Sequence, residues 1–272
     1  MKTETVLPKI GLGTWDLRDQ VCVDAVASAL DLGYRFIDTA AFYGNEVEVG
    51  RAVRESRIPR DELIISTKVW HTELEADAMR KSLETSLEKL QVDRIDLLLM
   101  HWPPRDLVIE GPLLKLASFV DAGLVSRIGV SNFPLHLLER AVELSPVPLA
   151  CNQIEMHLGL RQPRLLKMME TAAIATVAHC PLARGIHGEH PALQKVAAKY
   201  GTSWQQVALS WLIQQPNVHA IPGAHDPAHQ KENLRALDLV LHTEDYEMLD
   251  VIQDGRRVST SPYPIEGIDC TL

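Results

Sequence analysis

Eight times along the chain, a short and nearly continuous apolar run rich in β-branched residues gives way to a longer stretch of helical character. No other feature of the sequence constrains the fold as much. The strand-like runs cover residues 10–14, 35–38, 63–68, 95–100, 127–130, 149–154, 176–180 and 218–221. Their apolar residues are consecutive rather than alternating, as expected of strands buried on both faces. Between them, Met79, Leu83, Leu87 and Leu90 form one apolar stripe at helical spacing. Gly33 stops a helix over 21–32, and Asp226-Pro227 supplies an N-cap followed by proline at the first helical position. A further helix is expected over 244–252, then an irregular tail over 254–272 that contains Pro262 and Pro264. Repeated strand–helix units predict an α/β chain folded as a closed (β/α)₈ barrel, one domain over residues 1–272. An open doubly wound sheet is the structural rival. It is disfavoured because Gly11-Leu12-Gly13-Thr14-Trp15 lacks the third glycine of a dinucleotide-binding turn and precedes the first helix.

Charge and cysteine usage narrow the class. With 27 basic and 36 acidic residues the net charge is −9, which argues against a nucleic-acid or anionic-membrane surface. No apolar run approaches the roughly 18 residues of a spanning helix, and residues 1–10 hold no signal-peptide core. Cys22, Cys151, Cys180 and Cys270 lie far apart, consistent with separate reduced thiols and a cytoplasmic setting. The 11 histidines are scattered, and no metal site is expected even where His187, Glu189 and His190 share a loop.

A barrel of this kind places its chemistry at the C-terminal ends of its strands. There the sequence sets Asp38, Lys68 and His101, with Tyr43 in the loop after the second strand. Ser131-Asn132 follow the fifth strand, Asn152-Gln153 lie on the sixth and His179 on the seventh. Each alone is explained by a turn, a rim charge or a packed loop. Four complementary groups on one rim point instead to a proton donor. A free tyrosine has a pKa near 10. A cation about 4 Å away is worth about 4 kcal/mol at an effective dielectric near 20, so Lys68 is expected to lower the Tyr43 phenol. Asp38 would keep Lys68 charged, and His101 would orient a carbonyl. Such a set suits hydride addition to a carbonyl, with Tyr43 protonating the new alkoxide.

The motifs that carry these residues resemble those of the aldo-keto reductases over nearly the whole chain. They are Gly11-Leu12-Gly13-Thr14-Trp15, Gly33-Tyr34-Arg35-Phe36-Ile37-Asp38-Thr39-Ala40, Tyr43-Gly44-Asn45-Glu46, Thr67-Lys68 and His101-Trp102-Pro103. They continue with Gly129-Val130-Ser131-Asn132-Phe133, Asn152-Gln153, Ile221-Pro222-Gly223 and Glu232-Asn233-Leu234. Within that family the chain looks most like the small bacterial diketogluconate and methylglyoxal reductases. The resemblance implies a tetrad of Tyr43, Asp38, Lys68 and His101 and a nicotinamide cofactor, usually NADP(H). Ser131, Asn132 and Gln153 would bind the carboxamide, and Pro181 and Leu182 would lie on the loop over the pyrophosphate. Glu232 and Asn233 would meet the adenine, with Gly13, Thr14 and Ile221 completing the contacts.

Two departures from the family pattern stand out. His179 replaces a tyrosine that stacks on the nicotinamide, which predicts a smaller, titratable face and pH-sensitive binding. Gly223, Ala224 and His229 stand where the family has lysine, serine and arginine at the 2′-phosphate. Hydrogen bonds to charged groups contribute about 1.5–3 kcal/mol each, so NAD(H) is expected to serve comparably to NADP(H). By family position Trp15, Phe42, Trp70 and Trp102 line the substrate pocket and suit small or flat carbonyl compounds. The short loop 103–110 predicts an open pocket, with Arg105, Arg184 and His187 as rim groups. A monomer is the family default. Two other readings stay open: a barrel lyase with Lys68 as Schiff base, and a cofactor-binding, redox-sensing subunit without turnover.

Overall fold

The computed structural model describes residues 7–267. Eight parallel strands pair in chain order: β1 (Leu12–Gly13), β2 (Phe36–Asp38), β3 (Ile64–Val69), β4 (Ile95–Met100), β5 (Val125–Ser131), β6 (Leu149–Glu155), β7 (Ala175–His179) and β8 (Val218–Ala220). The sheet closes on itself between β8 and the first strand. There Gly11 N–H donates to Ala220 O at 2.9 Å, Ala220 N–H to Lys9 O at 2.9 Å and Gly13 N–H to Pro222 O at 3.2 Å. Around the strands run α1 (Asp19–Leu32), α2 (Glu46–Glu55), α3 (Ala76–Leu90), α4 (Glu110–Asp121), α5 (Leu135–Leu144), α6 (Pro163–Thr171), α7 (Pro191–Tyr200), α8 (Trp204–Ile213), α9 (Pro227–Arg235) and α10 (Thr243–Leu249). The predicted (β/α)₈ barrel is the fold of the chain.

Local signals act as expected. Gly33 takes φ 106° and its N–H closes α1 onto Ala29 O and Leu30 O. The Asp226 carboxylate accepts from Ala228 N at 2.7 Å, with Pro227 opening α9. Three details differ from expectation. The first strand is two residues long, with bridges at Ile10 and Gly13 pairing it to the last strand, and Gly11 and Gly13 lie so close to Phe36 and Ile221 that a Cβ at either would collide. Two helices, α7 and α8, fill the β7–β8 crossover, and α8 is buried over most of its length. The helix expected over 244–252 ends at Leu249 and tightens into a 3₁₀ turn, Asp250–Ile252.

Period-two alternation separates two apolar layers. Ile37, Ile65, Leu98, Met100, Ile128, Val130, Ile154 and Ala178 face the helices. Phe36, Ile64, Leu97, Leu99, Cys151, Ala175 and Val177 fill the barrel interior. Continuing each interior row two residues at a time toward the C-terminal end replaces apolar with polar side chains. Phe36 leads to Asp38, Ile64 to Ser66 and Lys68, Leu99 to His101, Cys151 to Gln153 and Glu155, and Val177 to His179. The barrel therefore has an apolar floor and a polar upper layer. Among the described residues no helix is long and apolar enough to cross a membrane. Cys22, Cys151 and Cys180 are free thiols; Cys270 lies outside the described residues.

Candidate active site

The upper layer opens into a cavity of about 740 Å³. Behind its lining residues Asp38 and Tyr43 lies Lys68, whose side chain is fully buried. The ammonium donates to Asp38 Oδ2 at 2.6 Å, Thr39 O at 2.8 Å and Tyr43 Oη at 3.3 Å. The opposite carboxylate oxygen, Asp38 Oδ1, accepts from Ser66 Oγ at 2.6 Å and Gln153 Nε2 at 2.8 Å. With three acceptors around one ammonium, every Lys68 proton is engaged. Burial works against its charge, but Asp38 and Tyr43 more than offset this, and its pKa is raised above the ordinary lysine value. A Schiff base needs a neutral amine with a free lone pair, so this lysine is unsuited to the lyase reading.

Tyr43 departs from expectation. Burial pushes its phenol up, and Lys68 recovers only part of the rise because Asp38 opposes it. A lysine already paired with a carboxylate presents little net charge to a third group, so the simple cation estimate overstates its pull. The phenol therefore keeps its proton at neutral pH. The His101 ring lies edge-on to Tyr43, with centroids 5.5 Å apart. Burial first, then Lys68 and His179, hold His101 well below the ordinary histidine value, so it is neutral. Its Nδ1 is buried without a hydrogen-bond partner.

Beside the tetrad, Asn132 takes the left-handed conformation at φ 60°, where its side chain joins β5 to β4 and β7. Its Nδ2 donates to His101 O at 3.0 Å, and its Oδ1 lies 3.0 Å from His179 Nε2. Ser131 Oγ donates to Gln153 O at 2.9 Å. Burial, despite the nearby Glu155, brings His179 down to about 4, so the ring is neutral around neutral pH. The titratable face expected of this ring is thereby shifted toward the acid side of the ordinary histidine range. Glu155 behaves oppositely. Burial would raise its carboxyl, but bonds from His157, Ser259 and Val258 hold it at about 2.

Aromatic rings wall one end. Trp15, Phe42 and Trp70 lie nearly parallel, with centroids 6.0 and 3.8 Å apart along the row. Trp102 is buried beneath Ile265 of the C-terminal tail, with Trp70 and Tyr263 packed alongside. The Tyr263 hydroxyl bonds to Pro103 O. The tail thus packs against Trp102 and the start of the short loop 103–110, while Ser259 and Thr260 are its residues that line the cavity.

Gly13, Ser131, Asn132, Gln153, His179, Pro181, Leu182, Ile221, Gly223 and His229 all line the cavity, as do Trp15, Phe42, Trp70 and Trp102. Thr14, Ala224, Glu232 and Asn233 do not. Thr14 is buried and its hydroxyl donates to Asp38 O at 3.0 Å. Ala224 O accepts from Gln230 Nε2 at 3.0 Å at the foot of α9. Asn233 is buried on α9, where the Tyr34 hydroxyl donates to Gln230 O at 2.9 Å, and Glu232 is half-buried on α9. Of the three expected rim groups, only Arg184 lines the cavity. His187 is buried against His157 with ring centroids 5.5 Å apart, so it is no solvated cation. The cavity also takes in Cys180, Trp204, Gln205, Ser259 and Thr260, which the sequence reading did not assign to it. Cys180, placed on a strand by that reading, instead follows β7 at φ 50°.

Comparison with known proteins places this geometry. Residues 9–254 match the model of the Aldo/keto reductase family. The chain is 37% identical to methylglyoxal reductase DkgB of Yersinia pestis over 255 residues, 93% of this chain and 95% of that one. Among solved structures, an aldo-keto reductase from a Medee basin deep-sea metagenome library superposes with TM-score 0.90 at 33% identity, covering 96% of both chains. The aldose reductase of Schistosoma japonicum does so with TM-score 0.88 at 29% identity, covering 93% of this chain and 91% of that one.

Proposed function

This chain belongs to the aldo/keto reductase family, an oxidoreductase that reduces small carbonyl compounds with a nicotinamide cofactor, and from that premise we propose how its residues divide the work. The observation that carries the proposal is the buried contact of Lys68 Nζ with both Asp38, at 2.6 Å, and Tyr43 Oη, at 3.3 Å. The cavity suits the cofactor. It runs from the tetrad past Ser131, Asn132 and Gln153, whose amides and hydroxyl complement a carboxamide, to Gly223 and His229 at the foot of α9. His179 offers a flat neutral ring, fixed by Asn132.

When bound, the nicotinamide supplies hydride to the carbonyl carbon. Tyr43 gives its Oη proton to the carbonyl oxygen and regains one from solvent. Its high pKa keeps that proton in place until charge develops on the substrate. Lys68 then stabilises the phenolate as it forms, and Asp38, held by Ser66 and Gln153, keeps Lys68 charged and in position. Neutral His101 turns its single N–H toward the carbonyl oxygen.

The aromatic end of the cavity bears no lysine or arginine among its described residues. Uncharged aldehydes and 2-oxoaldehydes therefore suit it better than sugar acids. Without the family's lysine, serine and arginine at Gly223, Ala224 and His229, NADH serves comparably to NADPH. All these residues come from one chain, so a monomer suffices. Replacing Tyr43 by phenylalanine tests the assignment. Turnover of methylglyoxal should fall by about 10²–10⁴-fold, the range for a lost general acid, while dinucleotide binding, followed by fluorescence quenching, stays within twofold. Turnover near the parent rate would remove Tyr43 from this role.

A further inference from the structure

Glu155 ends β6 in the polar upper layer, in register with His179 of β7, and its side chain is fully buried. A carboxylate taken out of water needs donors for its lone pairs, and here they come chiefly from more than a hundred residues away. Glu155 Oε1 accepts from Val258 N at 2.6 Å and lies 3.2 Å from His157 Nε2. Glu155 Oε2 accepts from Ser259 N at 3.1 Å and from the Ser259 hydroxyl, and Arg257 Nη1 lies 3.9 Å away.

The segment so held contributes to the lining of the cavity. It leaves the barrel where Asp254 N and Gly255 N donate to Gly159 O at 3.2 and 2.9 Å. Its Ser259 and Thr260 line the cavity near His179. It then reaches Pro103 through the Tyr263 hydroxyl and Trp102 through Ile265. Glu155 is thus the attachment of its middle span, between an anchor behind and an aromatic anchor ahead.

We propose that Glu155 is a positioning residue for substrate: by clasping residues 258–259 it fixes the tail as a wall of the pocket and so sets the space a carbonyl compound meets. The inference rests on the reductase reading of the cavity. Glutamate suits the task because both oxygens accept. A glutamine would turn an N–H₂ group toward the N–H of Val258 or Ser259, donor against donor.

The test uses the full chain with Glu155→Gln. The KM for 4-nitrobenzaldehyde should rise about tenfold with kcat within twofold, and hydrogen exchange should quicken over residues 256–266 while the barrel strands keep their protection. Ile265→Ala, which loosens the far anchor, should raise KM too, and the double variant should rise less than the product of the two. An unchanged KM with unchanged exchange in the tail overturns the proposal, as does full additivity. A fall in kcat alone marks Glu155 as merely structural and also overturns it. If Glu155→Gln does not fold, Ser259→Ala removes one donor, and faster exchange over 263–266 is expected; no change there refutes the clasp. Exchange needs no turnover. Absence of turnover in the parent chain would therefore count against the reductase reading, while the exchange result still decides the clasp.

Discussion

A dinucleotide brings phosphates whose charge must be met somewhere along the cavity, and among its described lining residues Arg184 is the only lysine or arginine. It sits in the turn after β7 beside Cys180, Pro181 and Leu182, so a pyrophosphate, common to both cofactors, is its expected partner. Arg184→Gln should then weaken NADH and NADPH binding alike, by about tenfold or more for one lost charged hydrogen bond, as titrated by fluorescence. Loss of NADPH binding alone would make Arg184 a 2′-phosphate clamp and end the comparable use of NADH. The placement of Asp38, Lys68, His101 and Tyr43 on one rim was legible because strand ends can be counted from the sequence. Asp38, Lys68 and His101 each lie one or two alternations past an apolar interior residue, and Tyr43 follows closely. The pKa direction of Tyr43 was not legible, since it depends on how tightly Asp38 already holds Lys68. Nor was Glu155, whose donors Val258 and Ser259 are distant in sequence and carry no motif.

Between elements, close approach is decided by single atoms. Gly50 on α2 faces the end of α3, and a Cβ there would lie 2.5 Å from Leu90 O and 2.6 Å from Leu90 Cα. Backbone cannot swing aside as a flexible side chain does. Gly50→Ala therefore forces the two helices apart despite the better helix propensity of alanine, and it should cost about 1–3 kcal/mol, as overpacking does. Urea denaturation reads this directly; a variant as stable as the parent would show that α2 shifts freely. The same helix begins three residues after Tyr43, so some loss of kcat should accompany the loss of stability. Element identity was readable because buried parallel strands are uniformly apolar and Gly33 and Asp226 punctuate the helices. The brevity of β1 and the paired helices of the last crossover were not, because both reflect packing against distant segments rather than any local preference.

For the molecule as a whole, buried neutral histidines tie stability to pH. Burial foremost holds His101, His179 and His219 below the ordinary histidine value, His179 at about 4. In the unfolded chain each returns to about 6.5. The unfolded state then binds more protons below that value, and stability falls as pH drops from about 6.5 toward 4, by up to about 1.4 kcal/mol per pH unit for each such group. Glu155 extends the loss from the ordinary carboxylate range down to about 2. The urea midpoint should therefore fall steadily between pH 7 and 5; a constant midpoint there would mean that these rings take up protons while folded. The barrel also has a seam. β1 and β8, its two short closing strands, are joined by few backbone bonds, and Gly13, Ile221, Pro222 and Gly223 along that join line the cavity. A ligand lying there would bridge the two edges like a rivet across a hoop, so the molecule that the protein works with would also complete its circumference.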